Sequence, residues 1–498
     1  MISLRKHLKQ GVVLTIALTV MASSMVGCVK KEKDTSVENK RFAFDMMNIY
    51  YNTEPPTPEN ALLQEIENYT NTDLNVVWVP RAAYDDKVAV TLASGEMPKV
   101  ILATRPMDMV IVNGVRSGMF WEIGPYLKDY PNLNKKLNSK VLESLSIDGK
   151  IYSLYRSRPI TRDAVIYRKD WLKNLGLQEP KTIEDVYNMI KAFTLNDPDQ
   201  NGVNDTVGLI EMKGIPYSGM VAQWFGAPNG WTEDGTPDFA TEEYLNMLKW
   251  YKRLYQEKLL NLDFAVVEEA QRQQQFLSGK AGVKLHIWES LNGSDELDLK
   301  KIVPNAELDG VSRIQGPKGE RSRSWGGYAG AYMFPKTSVK TEAELKQILT
   351  FFDKLCDVKI QNMMKYGIEG TNYKVENGKA ERFGEKIDPR TGTIMDQLYI
   401  FNNDAIERVN MTEIEIKSAR MLIEDEKIAV YNPFAGLISQ THNEKGAQIQ
   451  KNIEDAKVKY VMGAIDDNGW KQEIEKWKAN GGEKISQELK AEYEKRKK

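Results

Sequence analysis

The clearest chemical spacing in the chain lies between Asp197 and Asp205, where oxygen-bearing side chains recur at every second position. This is the ligand spacing of an EF-hand loop, and Gly202 falls at the sixth position, where the backbone must turn sharply. Carboxylate oxygens suit a hard dication, so the spacing predicts a structural Ca²⁺ site. The predicted ligands are the side chains of Asp197, Asp199, Asn201 and Asp205 and the carbonyl of Val203.

An Asx-rich turn without metal is the alternative for this loop. The twelfth position of an EF-hand carries a bidentate glutamate, and here it is Gly208. Extracellular modules function with dissociation constants of about 10⁻⁴–10⁻³ M, so an incomplete ligand set can still fill outside the cell. We therefore expect calcium in a structural role only, because no activating base or nucleophile accompanies the loop.

Catalytic constellations are scarce in this sequence. The chain has 3 histidines and 2 cysteines, which argues against multi-histidine zinc sites and against serine or cysteine triads. Walker, G-x-S-x-G and H-E-x-x-H motifs are absent from the sequence. With 70 acidic residues, a carboxylate pair for glycoside cleavage stays open as an alternative.

Several aromatic residues fall outside helical stripes, at strand ends or in loops rich in glycine and proline. Aromatic rings stack on the C–H faces of sugars, while neighbouring polar groups bind the hydroxyls. We expect a ligand to be bound by some of these residues, and the alternative for each is core packing or loop filling. The candidates are Tyr51, Tyr155, Arg158, Trp224, Trp288, Trp325, Tyr328 and Tyr431.

Two arginines, Arg156 and Arg158, precede Pro159 at a predicted crossover. In a ligand cleft they would favour an acidic sugar. They would equally suit a solvated face, so the sequence leaves the sugar's charge open.

The N-terminal segment determines how the rest of the chain is interpreted. A basic start is followed by the uncharged stretch 11–27 and then by Cys28. This resembles a bacterial lipobox, in which the signal peptide is cleaved before a cysteine that receives a lipid. An uncleaved membrane anchor is the alternative, although the stretch is short for a span of roughly 20 residues. We therefore expect a signal peptide over 1–27, a flexible lipid-anchored tether over 28–40 and a folded domain over 41–498.

Composition is that of an ordinary globular protein, with 9% aromatic and 28% charged residues. Loss of the signal peptide, which carries Arg5, Lys6, Lys9 and no acid, changes the formal charge from −2 to −5. No basic stripe stands out, which argues against nucleic acid as a partner. Cys356 lies in an apolar helical pattern and is predicted to be a buried small hydrophobe.

The start of the folded domain alternates strands with helices. The pattern predicts strands over 42–51, 74–79 and 100–102, with helices between them. Such a β-α-β-α-β rhythm with apolar strands indicates a parallel sheet covered by helices. Ligands in these sheets gather at the carboxyl ends of the strands.

Four motifs stand out along the folded domain. They are TLASGEMP at 91–98, YRKDWLKNLGL at 167–177, FLSGKAG at 276–282 and YGIEGTNY at 366–373. Together they resemble family 1 extracellular solute-binding proteins of ABC importers, in their long lipoprotein branch. The best segments are the block Arg168–Gly202 and the Gly367 block. The segment 91–98 is similar too, although it is followed by Lys99, where the family usually has aspartate.

The resemblance implies a two-lobe α/β fold of the periplasmic-binding-protein type II class, with a hinge and an interlobe cleft. We expect one lobe over about 41–160 plus 285–345 and the other over about 161–284 plus 346–498. The expected function is capture of an oligosaccharide and its delivery to the transmembrane subunits of an ABC permease. The expected location is the extracellular face of the cell membrane of a Gram-positive-type bacterium. The alternatives are a polysaccharide-degrading lipoprotein, a glycosidase or lyase, and a ligand-presenting partner of a sensor kinase.

Overall fold

The computed structural model describes residues 41–50, 55–291, 295–383, 397–398, 400–401 and 405–497. The predicted signal peptide and tether, including Cys28, lie outside these residues. The strands are β1 (Phe42–Tyr50), β2 (Thr72–Pro80), β3 (Val100–Ala103), β4 (Ser153–Ser157), β5 (Asp163–Arg168), β6 (Val207–Ile210), β7 (Ala281–Ile287), β8 (Leu308–Val311), β9 (Gln315–Gly316), β10 (Gly319–Glu320), β11 (Ser322–Arg323), β12 (Tyr328–Met333), β13 (Tyr373–Glu376), β14 (Lys379–Arg382) and β15 (Ala429–Val430).

Helices connect and cover these strands. They are α1 (Ala61–Thr70), α2 (Arg81–Ser94), α3 (Met109–Arg116), α4 (Pro131–Lys136), α5 (Ser139–Ser144), α6 (Lys169–Asn174), α7 (Ile183–Leu195), α8 (Ser218–Trp224), α9 (Glu242–Gln256), α10 (Glu269–Gln275), α11 (Asp295–Lys300), α12 (Glu342–Leu355), α13 (Val358–Tyr366), α14 (Glu413–Glu424), α15 (Gln440–Val461), α16 (Asp467–Trp477) and α17 (Glu483–Arg496). Among the described residues, no helix combines the length and apolar character that crossing a membrane requires.

The first lobe is built on the sheet β2-β1-β3-β12-β4. Strands β1, β2 and β3 are parallel, as the β-α-β-α-β pattern predicted, and β12 runs antiparallel between β3 and β4. The carboxyl ends of β1, β3 and β4 therefore lie at one edge of the sheet, together with the start of β12. That edge faces the connections to the second lobe, where ligands of open α/β sheets bind.

The second lobe is built on the sheet β6-β7-β5-β8. Its core packs apolar side chains of β5–β8 and helices α7–α9 against the C-terminal helices α15–α17. Helix α7 begins with a capping box, in which Thr182 and Asp185 each accept a hydrogen bond from the other's backbone N–H. Trp171, Trp250, Trp470 and Trp477 all lie in this core.

The expected lobe boundaries after residue 160 were wrong. Strand β7 pairs with β5 and β6, and β8 pairs with β5, so 281–311 completes the second sheet and not the first. Helix α12 instead places Leu345 and Ile348 in the first core, together with β12. The backbone groups of a buried central strand must be paired within its own sheet, which fixes β7 in the second lobe.

Three crossings connect the lobes among the residues that the structure describes. The first joins β4 to β5 through 158–162, and the second joins β11 to β12 through 324–327. Thr161 and Ser324 form an antiparallel bridge between these two crossings. The third lies between Ile406, which packs on a small cluster beside α13, and α14, which packs on the second lobe. Strand β15 then pairs with β11, so residues next to the hinge come from distant parts of the chain.

Candidate functional site

Trp325 lies in the second crossing and is the most exposed tryptophan of the predicted set, at 41%. Its backbone N–H donates to the carbonyl of Ile160 at 2.7 Å, which ties the two crossings together. Its indole Nε1 donates to Asp163 Oδ1 at 3.0 Å. The ring is thus held in one orientation while much of its surface stays open to a ligand.

Asp163, the first residue of β5, organises the groups around this indole. Arg323 donates from Nε and Nη2 to the two carboxylate oxygens at 3.1 and 3.0 Å, a bidentate pair. The Arg323 guanidinium lies 4.4 Å from the centroid of the Trp325 ring. Burial raises the pKa of Asp163, while the Arg323 guanidinium acts to lower it. Gly219 in α8 makes room for Arg323, since a Cβ there would lie 2.5 Å from Arg323 Nη1.

Tyr217 forms a second aromatic wall beside Trp325, with 6.4 Å between ring centroids. Its other neighbour is His286, at 5.1 Å, near the end of β7. Arg272 lies beneath Tyr217, with its guanidinium 5.3 Å from the ring, and pairs with Glu269 at 2.9 Å. Burial acts to raise the pKa of Glu269, but hydrogen bonds from His286 and Arg272 lower it to about 2. Glu269 therefore stays ionised and holds the Arg272 guanidinium under the aromatic wall.

Arg162 and Glu289 complete this surface on the hinge side. Arg162 Nε donates to Glu289 Oε1 at 2.7 Å, and the guanidinium lies 6.0 Å from the Trp325 ring. We call the group of Trp325, Tyr217, Asp163, Arg323 and Arg162 the Trp325 cluster. An open aromatic surface edged by fixed donors and acceptors is the arrangement that binds a sugar ring.

The first lobe contributes polar groups at the carboxyl ends of β1 and β4. Arg156, the next-to-last residue of β4, is buried and donates from Nη2 to Gln397 Oε1 at 2.5 Å. Asn48, near the end of β1, donates to Tyr332 Oη at 3.1 Å and to the carbonyl of Gln397 at 2.9 Å. The burial of Arg156 rules out a solvated face for this residue.

Arg158 and Tyr328 flank the hinge as predicted ligand candidates. Both are half-buried, and Arg158 N–H donates to the carbonyl of Gly327 at 2.9 Å. Burial raises the pKa of the Tyr328 hydroxyl. Gly327 has φ +78°, which favours glycine, and a Cβ there would lie 2.9 Å from Val141.

Tyr431 lies just after β15 and lines a separate pocket of about 480 Å³ between α5 and the segment before β15. The ammonium of Lys140 lies 4.3 Å from the centroid of the Tyr431 ring. The pocket therefore combines a half-buried aromatic ring with the long cationic side chains of Lys140 from the first lobe and Lys427 from the second. Its lining residues are Asn138, Ser139, Lys140, Glu426, Lys427, Ala429 and Tyr431.

Three predicted ligand residues are buried in the cores. Trp224 ends α8 at 1% exposure and packs edge-on to Trp250, so the predicted loop position is wrong. Trp288 does follow β7 as predicted, but it is fully buried and its ring fills the space above Gly310. Tyr155 lies inside β4, and its hydroxyl accepts a hydrogen bond from the backbone N–H of Asn138. Tyr51 lies outside the described residues.

The loop Asp197–Asp205 folds as a turn around its own backbone. Asp197 accepts hydrogen bonds from the N–H groups of Asn201 and Gly202 at 3.1 and 2.9 Å. Gly202 has φ +82°, so the predicted sharp turn at this position is confirmed. The Asn201 side chain also donates to Asp199 at 2.9 Å. Groups of the loop itself thus donate part of the hydrogen bonds that the carboxylates of Asp197 and Asp199 can accept.

Lys280 supplies a cation to this loop from the turn before β7. Its ammonium lies 2.5 Å from Asp205 Oδ2 and 4.0 Å from Asp199 Oδ2. Within the described ranges, no three acidic, histidine or cysteine side chains form a group that could hold a metal ion. The predicted calcium ligand set is therefore not confirmed.

A buried carboxyl group lies deeper in the second lobe. Glu211 is fully buried and accepts a hydrogen bond from the Tyr251 hydroxyl at 3.0 Å. Burial raises its pKa to about 7, against the opposing effect of the Arg272 charge. Because Arg272 also supports Tyr217, this carboxyl group is electrostatically linked to the floor of the Trp325 cluster.

Sequence reasoning missed most partners of Trp325. Asp163 and Arg323 lie 160 positions apart and meet only because β5 and β11 flank the hinge. Tyr217 gave a weak signal, since it follows Pro216 and precedes a helix. The Arg-x-Trp spacing at 323–325, next to two glycines, was the local clue to the site.

Comparisons with known proteins were made on the whole chain. A family model described as bacterial extracellular solute-binding protein matches residues 52–355. The polygalacturonan/rhamnogalacturonan-binding protein YtcQ of Bacillus subtilis (strain 168) is 37% identical, covering 96% of this chain and 98% of that protein. Lipoprotein LipO of the same strain is 35% identical, with the same two shares covered.

Solved structures share the fold at low identity. Alginate-binding protein AlgQ2, crystallised without calcium ion, matches with a TM-score of 0.65 at 19% identity, over 91% of this chain and 98% of that one. A solute-binding protein from Bifidobacterium longum infantis is described as HMO binding and associated with an ABC transporter. It matches with a TM-score of 0.68 at 17% identity, over 91% of this chain and 98% of that one. These matches confirm the predicted two-lobe α/β fold.

Proposed function

This chain belongs to the bacterial extracellular solute-binding protein family, and from that premise we propose that it captures an oligosaccharide between its lobes and delivers it to an ABC permease. The observation that carries the proposal is the Trp325 cluster. An exposed indole, fixed by Asp163, stands beside Tyr217 at the hinge. Such a surface stacks a sugar ring and binds its hydroxyls.

Capture requires contacts from both lobes, because a ligand stabilises a closed arrangement only by binding it better than the open one. We propose that Trp325 contributes from the second crossing beside the second lobe, that Arg158 contributes from the first crossing, and that Tyr328, at the start of β12, contributes from the first lobe. Tyr431 and its pocket would extend the site toward α5. Micromolar affinity corresponds to about −8 kcal/mol, which stacking and charge-assisted hydrogen bonds together can supply.

We favour binding over polysaccharide degradation because YtcQ, matched over nearly its whole length, is named a binding protein. FusA of Streptococcus pneumoniae, 27% identical over 40% of this chain, is named a fructooligosaccharide ABC transporter substrate-binding protein. The same comparisons support import by an ABC transporter over ligand presentation to a sensor kinase.

We further propose that Cys28 is lipidated and anchors the protein on the outer face of the cell membrane. The name of LipO as a lipoprotein supports this. A Cys28→Ser chain is expected to leave the membrane fraction and to keep its ligand affinity. Loss of affinity in that variant would contradict a tether that is separate from the fold.

The proposed capture step does not use the loop Asp197–Asp205. Two of the similar structures are described as AlgQ2 without calcium ion and as a FusA EF-hand mutant in complex with fructo-nystose. In this chain the carboxylates of the loop contact Lys280. A cation would have to compete with that ammonium before it could bind.

A thermal-shift screen of the full chain against neutral and acidic oligosaccharides tests the proposed function. We expect at least one oligosaccharide to raise the melting temperature, because a ligand that binds only the folded state stabilises it. The same mixtures should show no new reducing ends or unsaturated products. No shift across the panel, or accumulation of cleavage products, would overturn the proposal.

A further inference from the structure

Buried arginines in this protein are usually paired with a carboxylate. Arg168, at 1% exposure, pairs with Asp170, and Arg272, at 0%, pairs with Glu269. Arg156 differs, because among the described residues its guanidinium donates only to the neutral amide of Gln397. Its Nε and Nη1 have no hydrogen-bond partner among the residues that the structure describes.

Burying a guanidinium without a carboxylate partner costs free energy of folding. Arginine keeps its proton in proteins, so burial cannot neutralise it. Burying a charge without a counter-charge carries a penalty that a single neutral hydrogen bond does not offset. The site therefore favours the binding of an anion that accepts hydrogen bonds from Nε and Nη1, the two buried donors that lack a partner among the described residues.

Arg156 lies at the ligand-binding edge of the first sheet, so an anion that pairs with it would bind there. It precedes Ser157 at the carboxyl end of β4, which is parallel to β1 and β3 in the first sheet. Asn48, near the corresponding end of β1, shares Gln397 as a partner. Only two residues separate Arg156 from Pro159 in the first crossing, and Ile160 in that crossing holds the Trp325 backbone.

The arginines around Trp325 and Tyr217 each have a counter-charge among the described residues. Arg323 pairs with Asp163, Arg162 with Glu289 and Arg272 with Glu269. Those groups can bind hydroxyls, but their charges are already balanced. Of the four arginines compared, a ligand carboxylate gains most at Arg156, which has no counter-charge among the described residues.

We propose that Arg156 binds a carboxylate of the captured sugar, and that the ligand is therefore an acidic oligosaccharide built with uronic acid units. This inference rests on the proposed function and narrows its substrate class. Arg156 is the specificity-determining residue, while the Trp325 cluster supplies stacking that acidic and neutral sugars share.

Calorimetric titration of the full chain in detergent, with tetragalacturonic acid and with its neutral methyl ester, tests the inference. We expect the acid to bind about tenfold tighter or more, the range of a charge-assisted hydrogen bond. Arg156→Gln should remove that preference and leave the affinity for the ester nearly unchanged, which also shows that the variant is folded. Arg156→Lys, which keeps the charge, should retain part of the preference.

Arg116→Gln is the matched control, because Arg116 is an exposed first-lobe arginine paired with Asp148. It should keep the full preference for the acid. Equal binding of acid and ester by the unchanged chain would overturn the inference, as would a preference that survives in Arg156→Gln. In both cases oligosaccharide binding itself, and with it the proposed function, would stand. If no oligosaccharide binds the unchanged chain at all, the proposed function fails and the inference falls with it.

Discussion

The arginines on the two sides of the hinge differ in how their charge is balanced. In the second lobe, Arg323 forms a bidentate pair with Asp163, whose carboxylate also holds Trp325. In the first lobe, Arg156 is more deeply buried than Arg323 but contacts a neutral amide. The charge on one side of the candidate site is thus balanced by the fold, and we propose that the charge on the other side is balanced by a ligand.

The largest expected effect is on folding stability. Arg323→Met should lower the free energy of unfolding by about 3 kcal/mol, because it strands the buried Asp163 carboxylate. Arg156→Met should leave that free energy unchanged or raise it, since it removes a charge that has no counter-charge. Denaturant unfolding of both variants measures the difference, and equal destabilisation would show that Arg156 is paired after all.

Trp325→Ala should have the next largest effect, on affinity. Truncating a central aromatic anchor typically costs 2 kcal/mol or more, so we expect about 30-fold weaker oligosaccharide binding or greater. Trp121 is the control, because it lies at the opposite end of the first sheet, where its N–H pairs with Phe334. Trp121→Ala should bind normally, and a Trp325→Ala variant of normal affinity would remove the cluster from the site.

Glu211 provides a pH test of the buried charge beneath the Trp325 cluster. Its folded pKa is raised to about 7 from an ordinary 4.5, so the folded state holds the proton over that interval. Its contribution to stability is fully present below about pH 4.5 and falls as the pH rises to about 7. Melting temperatures across this interval should therefore decline less in Glu211→Gln than in the unchanged chain. An identical decline in both would mean that Glu211 does not titrate in this range.

The smallest expected effect concerns the loop Asp197–Asp205. Because Lys280 contacts Asp205, we expect calcium or a chelator to leave the melting temperature of the unchanged chain the same. Lys280→Met should unmask the carboxylates and make the melting temperature rise with calcium. Lys213→Met, an exposed lysine of the same lobe, is the control. A calcium-dependent shift in the unchanged chain would show that the ion displaces the ammonium.

The sequence predicted the parts of this molecule that depend on local patterns. The parallel order of β1, β2 and β3 followed from the alternation of apolar strands with helices. The turn at Gly202 followed from the sixth position of the EF-hand spacing, and its φ is positive in the structure. Each of these features is determined by residues close together in the chain.

Long-range pairing was the part that could not be predicted. A tryptophan after a strand is exposed or buried according to what packs above it, so Trp325 and Trp288 looked alike in sequence and differ in structure. The same holds for Lys280, whose contact with the loop depends on β6 pairing with β7. The lobe boundaries failed for this reason, since sheet membership is determined by strand pairing and not by composition.

Hydrogen exchange measured on the full chain, with and without a saturating acidic oligosaccharide, tests the central claim most directly. We predict that the ligand slows amide exchange in two segments at once, because it contacts both. The segments are 153–158 in the first lobe and 322–328, which runs from β11 of the second lobe through the second crossing. Protection confined to one of these segments, or absent from both while the oligosaccharide is bound, would contradict capture between the lobes.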